Sequence, residues 1–482
     1  MNMKPAKAFP VLEPSCGGDG EALIGFCAPA TGKVMAQIRD CGAATVDRAV
    51  AVASAAFAQH RKLARHVRID WLRAAAEALR HRQEELAQIL CEDVGKPIRA
   101  ARFEAGRGVA FLEATASAAS ELGSEMLPLD AVAAGAGAIG MTRRDPYGVV
   151  AGITPFNAPI NLLLQKVAPA VAMGNAIIVK PAPAGTRVAL RLAEIFVDAG
   201  WPEGLFTVVT GDRTPALALA AHPQVAAITF TGGTEAGHAL VRAAGAKKFL
   251  AELGSNAANI VLADADIDLA ARKLALAGFE ASGQQCISAQ RILVQRSVHD
   301  ALLERLVTAA RGLKTGPAED PDTDLGPMVH EAAAERVMGL VQDALDRGAD
   351  CALAPQRDGA TVSPAVLARV PRDARLWQEE AFGPVVLVHA FDTLDEAIAL
   401  ANDCRFGLQA AAFTNDLSAT MRLAEDLEVG SLWINEPSRF RLDVYPFGGV
   451  KESGIGREGV RYALEELSQI KFVGIRPTAG GV

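Results

Sequence analysis

Between residues 147 and 262 four short runs rich in β-branched and apolar residues, at 149–153, 176–179, 206–209 and 227–230, are each followed by a helix-like stretch. This alternation constrains the fold more than anything else in the chain. A strand that reaches its neighbour through a helix must run parallel to it, and the crossovers cover both faces of the sheet. The predicted class is therefore α/β, with a doubly wound parallel sheet whose ligand crevice lies beyond the carboxyl ends of its strands.

A second αβ series runs from Ala258 to about residue 435, with an amphipathic helix over 299–313 and a strand-like run at 383–388. At 482 residues the chain exceeds what one core serves, so a second α/β unit is expected. Ahead of both, residues 48–107 carry Leu72, Ala76 and Leu79, then Leu86, Ile89 and Leu90, at helical spacing. Residues 131–146 and the tail from Tyr462 lack a local core and read as pieces that pair elsewhere, across a subunit boundary.

The net charge of −8 argues against nucleic acid as a partner, since phosphate binding leaves a basic footprint. The seven cysteines are scattered and contain no C-x-x-C, which suggests reduced thiols and neither a disulfide framework nor a metal site. The first 14 residues have no apolar core of a signal peptide, and no apolar stretch reaches membrane-spanning length unbroken. A cytoplasmic location and no membrane partner are the resulting expectations.

Several residues carry chemistry. Cys286, in Gly283-Gln284-Gln285-Cys286, is a candidate thiol nucleophile flanked by residues that allow close approach. Glu252 ends an apolar run before Gly254, where burial would raise its pKa and fit it to activate water. Asn157 follows the strand ending at Ile153; its amide suits either an oxyanion donor or a helix N-cap before Pro159. Lys180 ends a strand, where it either meets a nucleotide's ribose or phosphate or snorkels to the surface. Gly232, Gly233 and Gly237 follow Phe230 and open a helix whose amides can cradle pyrophosphate. Glu380 and Phe382 form a turn suited to a ribose and a nicotinamide ring, or to ordinary turn geometry. The G-x-G-x-x-G run from Gly135 to Gly140 has no strand before it and no helix after it, so it is a chance match.

Taken in order, these motifs resemble the aldehyde dehydrogenase superfamily, and the likeness extends to Ser453-Gly454-Ile455-Gly456-Arg457-Glu458. The resemblance implies Cys286 as nucleophile, Glu252 as general base, Asn157 as oxyanion donor, and Lys166 and Glu458 as groups that move protons near Glu252. It places NAD or NADP against Ile153, Thr154, Pro155, Phe156, Lys180, Ala182, Pro183, Phe230, Thr231, Gly232, Gly233, Gly237, Leu253, Glu380 and Phe382. It further implies a dinucleotide-binding domain over 1–123 and 147–254, a catalytic domain over 255–455, and a small β oligomerisation arm from 124–146 and 456–482. A homodimer or homotetramer follows from that arm.

The reaction implied is attack by the Cys286 thiolate on a small aldehyde, hydride loss to the nicotinamide, and hydrolysis of the thioester by water that Glu252 deprotonates, with no metal. Many relatives carry K-P-S-E, where this chain has Lys180-Pro181-Ala182-Pro183; losing that carboxylate removes a charge that would repel a 2′-phosphate, so NADP is expected to be tolerated beside NAD. The segments around Cys286 and Lys451 resemble the lactaldehyde, glyceraldehyde-3-phosphate and phosphonoaldehyde branch. Glu280 stands where succinate-semialdehyde members carry an arginine, while Arg107, Arg439 and Arg441 are candidates to hold a phosphonate, phosphate or sulfonate. Two alternatives stay open: a CoA-acylating dehydrogenase, against which Glu252 argues, and a cysteine hydrolase or acyltransferase, for which none of the eight histidines has a recognisable setting.

Overall fold

The computed structural model describes residues 10–18 and 22–477. Residues 1–9 and 478–482, on which parts of the amino-terminal and tail expectations fall, lie outside the described residues.

The first sheet has the order Gly454–Ile455, Lys248–Glu252, Val225–Thr231, Val149–Thr154, Ala176–Pro181, Phe206–Val208. All but the short 454–455 strand are parallel. From Val149–Thr154 the chain builds outward in one direction, then returns to lay Val225–Thr231 on the other side. The reversal opens a crevice beyond Thr154 and Thr231. Val149–Thr154 and Ala176–Pro181 are buried at every position, which is why they read as continuous apolar runs instead of alternating ones.

Helices Ala43–His60, Arg65–Arg80, Gln83–Val94 and Ile98–Glu121 supply the expected scaffold. Leu72, Leu79, Leu86 and Leu90, at helical spacing, have no exposed surface, and they share a core with Val150, Ile177 and the helix Pro159–Ala172. The second sheet, ordered Asp350–Leu353, Ala365–Ala368, Val385–Phe391, Arg291–Gln295, Ala258–Val261, Gln409–Phe413, Ser431–Ile434, is parallel except for its first strand.

A third, three-stranded sheet joins Met126–Leu127, Ile139–Pro146 and Ser468–Ile475. Gly140 lies in its middle strand, and no helix follows the glycine run there. The segment 456–482 does not stay together as an arm, however. Gly454–Ile455 pairs antiparallel with the strand that ends at Glu252, and helix Val460–Glu466 packs on Ile98–Glu121 and Pro159–Ala172. Val460 and Leu464 bury their apolar faces in the first core, and among the described residues it is the strand 468–475 that joins the arm. Among the described residues no helix is long and apolar enough to cross a membrane.

Candidate active site

Cys286 lies in the loop that follows helix Ile267–Phe279. The turn before it holds three successive residues in the left-handed region, Ala281, Ser282 and Gly283, at φ of 52°, 56° and 68°. Two of these carry a Cβ and are costly there, so outside contacts must hold them. The Ser282 hydroxyl donates to the Gly326 carbonyl at 2.7 Å, and the Gln284 side chain accepts from the Val329 amide at 3.0 Å. A Cβ on Gly283 would stand 2.1 Å from the Gly383 carbonyl oxygen, so the loop closes directly on a second backbone segment. The thiol is thereby fixed at a place the local sequence alone would not choose.

Asn157 follows Val149–Thr154 at the crevice. Its side-chain amide donates to the Gln284 carbonyl at 2.9 Å, while the N-cap of Pro159–Ala172 is Ala158. The N-cap alternative is therefore overturned. One amide hydrogen is spent on Gln284 and the second remains for another acceptor.

Cys286, Asn157 and Leu162 belong to the walls of two cavities at once. The larger, about 430 Å³, is formed by Pro155, Phe156, Thr231, Gly232 and Gly233 on one side and by Glu380, Phe382 and Leu253 on the other. Phe382, held at φ 47°, meets Phe156 edge to face with ring centres 5.9 Å apart. Gly232 and Gly233 make a cradle in its wall, where a Cβ on Gly232 would lie 2.6 Å from the Phe230 ring; Gly237 is not part of the wall, and a Cβ there would lie 2.5 Å from the Leu253 side chain. Helix Thr234–Ala244 begins directly after Gly233, presenting unpaired first-turn amides.

Glu380 is half-buried, with one oxygen accepting from the Ser255 amide at 3.1 Å. Burial pushes its carboxyl up to about 7, against that amide and the cations Arg336 and Arg405. Lys180 is 6% exposed, so it does not snorkel; burial brings its ammonium down to about 8, opposed by Asp212 and Asp40. Ala182 donates its amide to the Thr154 carbonyl at 2.8 Å, Pro183 opens the short turn Pro183–Gly185, and Ile153 is buried beneath. A cavity of this size, with glycines, a helix start and a carboxylate in its wall, fits a nicotinamide dinucleotide, while Ile153, Lys180, Ala182 and Pro183 are not part of that wall.

The smaller cavity is lined by charge: Lys96, Glu104, Arg107, Glu280, Arg439 and Arg441. None of the three arginines is a loose surface cation. Arg107 forms a two-pronged pair with Asp443 at 2.9 and 2.6 Å, and Arg439 faces Glu280 at 3.2 Å. Arg441 has a 7% exposed side chain that donates to Gln165 at 3.1 Å and Glu458 at 3.3 Å and lies 3.7 Å over the Phe447 ring. Its Nε is buried without a partner.

Glu252 is 3% exposed at the end of Lys248–Glu252, and its Oε2 has no hydrogen-bond partner. Burial, then the Glu458 carboxylate, raises its pKa well above the ordinary carboxylate range; Arg441, Lys166 and Arg457 oppose them. It lies near enough to Cys286 for its charge to act on the thiol, yet it forms part of neither cavity wall. Behind it, Lys166 donates to Thr231 at 2.7 Å and to Glu458 at 2.8 Å. Burial pushes the Glu458 carboxyl up, but Lys166 and Arg441 together hold it below its usual range. Burial and the charge of Glu380 take the Cys286 thiol up to about 12, with Arg441 and Arg439 pulling the other way.

Sequence reasoning missed Lys96, Glu104 and Gln165, which the fold brings to the cavity from the loop before helix Ile98–Glu121, from that helix and from Pro159–Ala172. No spacing rule marks them; only Pro97 after Lys96, at a helix start, hints that the lysine is not on a free helix face.

The chain is similar to known proteins along most of its length. The 3-sulfolactaldehyde dehydrogenase of Priestia aryabhattai is 40% identical over 88% of this chain and 89% of its own length. The NADP-dependent glyceraldehyde-3-phosphate dehydrogenase from Bacillus halodurans C-125, solved with NADP, superposes with a TM-score of 0.92 at 35% identity, covering 94% of this chain and 96% of that one. The lactaldehyde dehydrogenase from Escherichia coli gives 0.93 at 32% identity over 97% and 100%. The family model itself runs from residue 17 to residue 473, across both large sheets and the arm, and on that ground this chain belongs to the aldehyde dehydrogenase family.

Proposed function

We propose that the protein oxidises a small aldehyde bearing an anionic or hydroxyl group to the carboxylic acid, with NAD or NADP, through a thioester on Cys286. The observation that carries this reading is the shared wall: the thiol and the Asn157 amide stand between a cavity that fits a dinucleotide and a small, charge-lined one. An aldehyde carbon at Cys286 would turn its oxygen to the free hydrogen of Asn157 and its remaining substituents toward Arg441.

The residues divide the work. Loss of the thiol proton leaves sulfur free to attack, and the cations Arg441 and Arg439 favour the resulting anion. Asn157 stabilises the oxyanion. The dinucleotide, when bound, supplies the hydride acceptor; the glycine cradle, Glu380 and Lys180 would hold it. Glu252 then takes a proton from water that attacks the thioester, and because it forms no cavity wall it acts through that water or by turning toward Cys286. Lys166 and Glu458 provide the path by which its proton leaves.

Arg441 is the substrate's proposed anion contact, since its Nε is buried and unpaired and the relative named above acts on a sulfonated aldehyde. Charge-assisted hydrogen bonds are worth about 1.5–3 kcal/mol. Arg441→Ala is therefore expected to lower kcat/KM for three-carbon sulfonate, phosphonate or phosphate aldehydes roughly 10- to 100-fold more than for an uncharged aldehyde of equal length. Equal losses on both would defeat the assignment.

We also propose that the three-stranded sheet assembles the protein into a homodimer or homotetramer. One face exposes Ile470 at 65% and Phe472 at 53%, and the other exposes Met126 at 68%, more apolar surface than an isolated ribbon should show water. Ile470→Asp/Phe472→Asp should shift the mass in light scattering toward the monomer; an unchanged mass would refute this.

A further inference from the structure

Lys96 and Glu104 form an ion pair on the wall of the smaller cavity, 8% and 3% exposed, and no step above uses them. Burying two opposite charges gives little net stability, because desolvation offsets their attraction. Their contacts point to geometry instead. The Lys96 ammonium donates to the main-chain carbonyl of Asn157 at 2.7 Å. Glu104 accepts from the amides of Ile160 at 2.9 Å and Asn161 at 3.4 Å, in the first turn of Pro159–Ala172. That helix has no side-chain cap from Ala158, so Glu104 supplies from another helix what its own N-cap lacks.

The two charges thus grip both ends of the 157–161 turn from one side, while from the other the Asn157 amide reaches Gln284, two residues before the nucleophile. Gln284 is itself held through Val329. A donor to an oxyanion must sit within a few tenths of an ångström of its working distance, and a misplacement of about 1 Å costs roughly 100-fold in rate.

We propose that the Lys96–Glu104 pair is a positioning device for the oxyanion donor: it holds the Asn157–Asn161 turn by the Asn157 carbonyl and the following amides, so that the Asn157 side chain keeps its aim at a carbonyl on Cys286. This rests on the reading of Asn157 as that donor, so Asn157→Ala is measured alongside.

The experiment is steady-state oxidation of whichever aldehyde in a panel the parent enzyme turns over best, at saturating dinucleotide. Lys96→Met/Glu104→Gln removes both charges together and keeps an acceptor for the Ile160 amide. Its kcat is expected to fall about 10- to 100-fold with KM within about threefold. Adding Asn157→Ala to it should make the enzyme no more than about twofold slower than Asn157→Ala alone, since both changes remove one function. A purely structural role would instead give losses that multiply.

Parental kcat in Lys96→Met/Glu104→Gln beside a slow Asn157→Ala, or multiplying losses, overturns the proposal. Parental kcat in Asn157→Ala overturns the donor reading itself. Should the double variant not fold, Lys96→Arg takes its place with the same expected kcat loss; it keeps the buried cation and moves its donors.

Discussion

Cys286→Ala is expected to lower kcat for aldehyde oxidation by on the order of 10⁴-fold or more, while dinucleotide affinity, read by fluorescence titration, stays within about threefold. The two effects separate because the thiol lies on the partition between cavities and only borders the larger one, whose far wall carries Gly232, Gly233 and Glu380, the groups proposed to hold the dinucleotide. Without sulfur no covalent adduct forms, and an aldehyde has no tetrahedral carbon from which hydride can depart. Turnover by Cys286→Ala at parental speed would refute the covalent reading and the function built on it. The thiol's pKa, pushed up to about 12, adds a further expectation: labelling of Cys286 by iodoacetamide in the free enzyme should be slow at neutral pH and quicken as pH rises, because only the thiolate reacts.

The second large effect belongs to Glu252. Glu252→Gln should still release about one equivalent of reduced dinucleotide per active site in the first turnover and then slow by about 10²- to 10⁴-fold, the usual worth of a general base. Sulfur attack and hydride departure do not need this carboxylate; hydrolysis of the thioester does. The pH dependence follows from the direction of the shift. A base works only when deprotonated, and burial plus Glu458 hold Glu252 well above the ordinary carboxylate range. Parental kcat should therefore decline on acidification at a pH above that range, and this acid limb should vanish in Glu252→Gln. A variant with no burst, or one with parental steady-state turnover, would show that Glu252 acts elsewhere.

Much of this was legible in residues. The apolar runs at 149–153 and 227–230 announced buried parallel strands because both of their faces are covered, and the crevice they define holds the site. Cys286, Asn157 and Glu380 were legible as types in a sequence order, and they do meet in space. What stayed hidden depends on long-range pairing. Glu104 is one glutamate among several on a helix until helix Pro159–Ala172 brings its amides to it. Arg441 was legible as a candidate anion contact, but its burial under Glu458, Gln165 and the Phe447 ring was not, because no local pattern encodes those partners. The tail misled for a related reason: Gly454–Ile455 offers only two residues to pair, too short a strand to signal that it returns to the first sheet.

That short return stitches the molecule. After completing the second sheet, the chain runs back beside Glu252 and anchors Val460 and Leu464 in the first core before it ends. Each large sheet is thus tethered at two distant points of the sequence, near residue 254 and again near 454. Shearing one lobe away from the other would first have to peel off the strand that flanks the base. Ligand traffic is therefore left to the mouths on either side of the thiol, and a single backbone nick near residue 255 would leave the two halves fastened together.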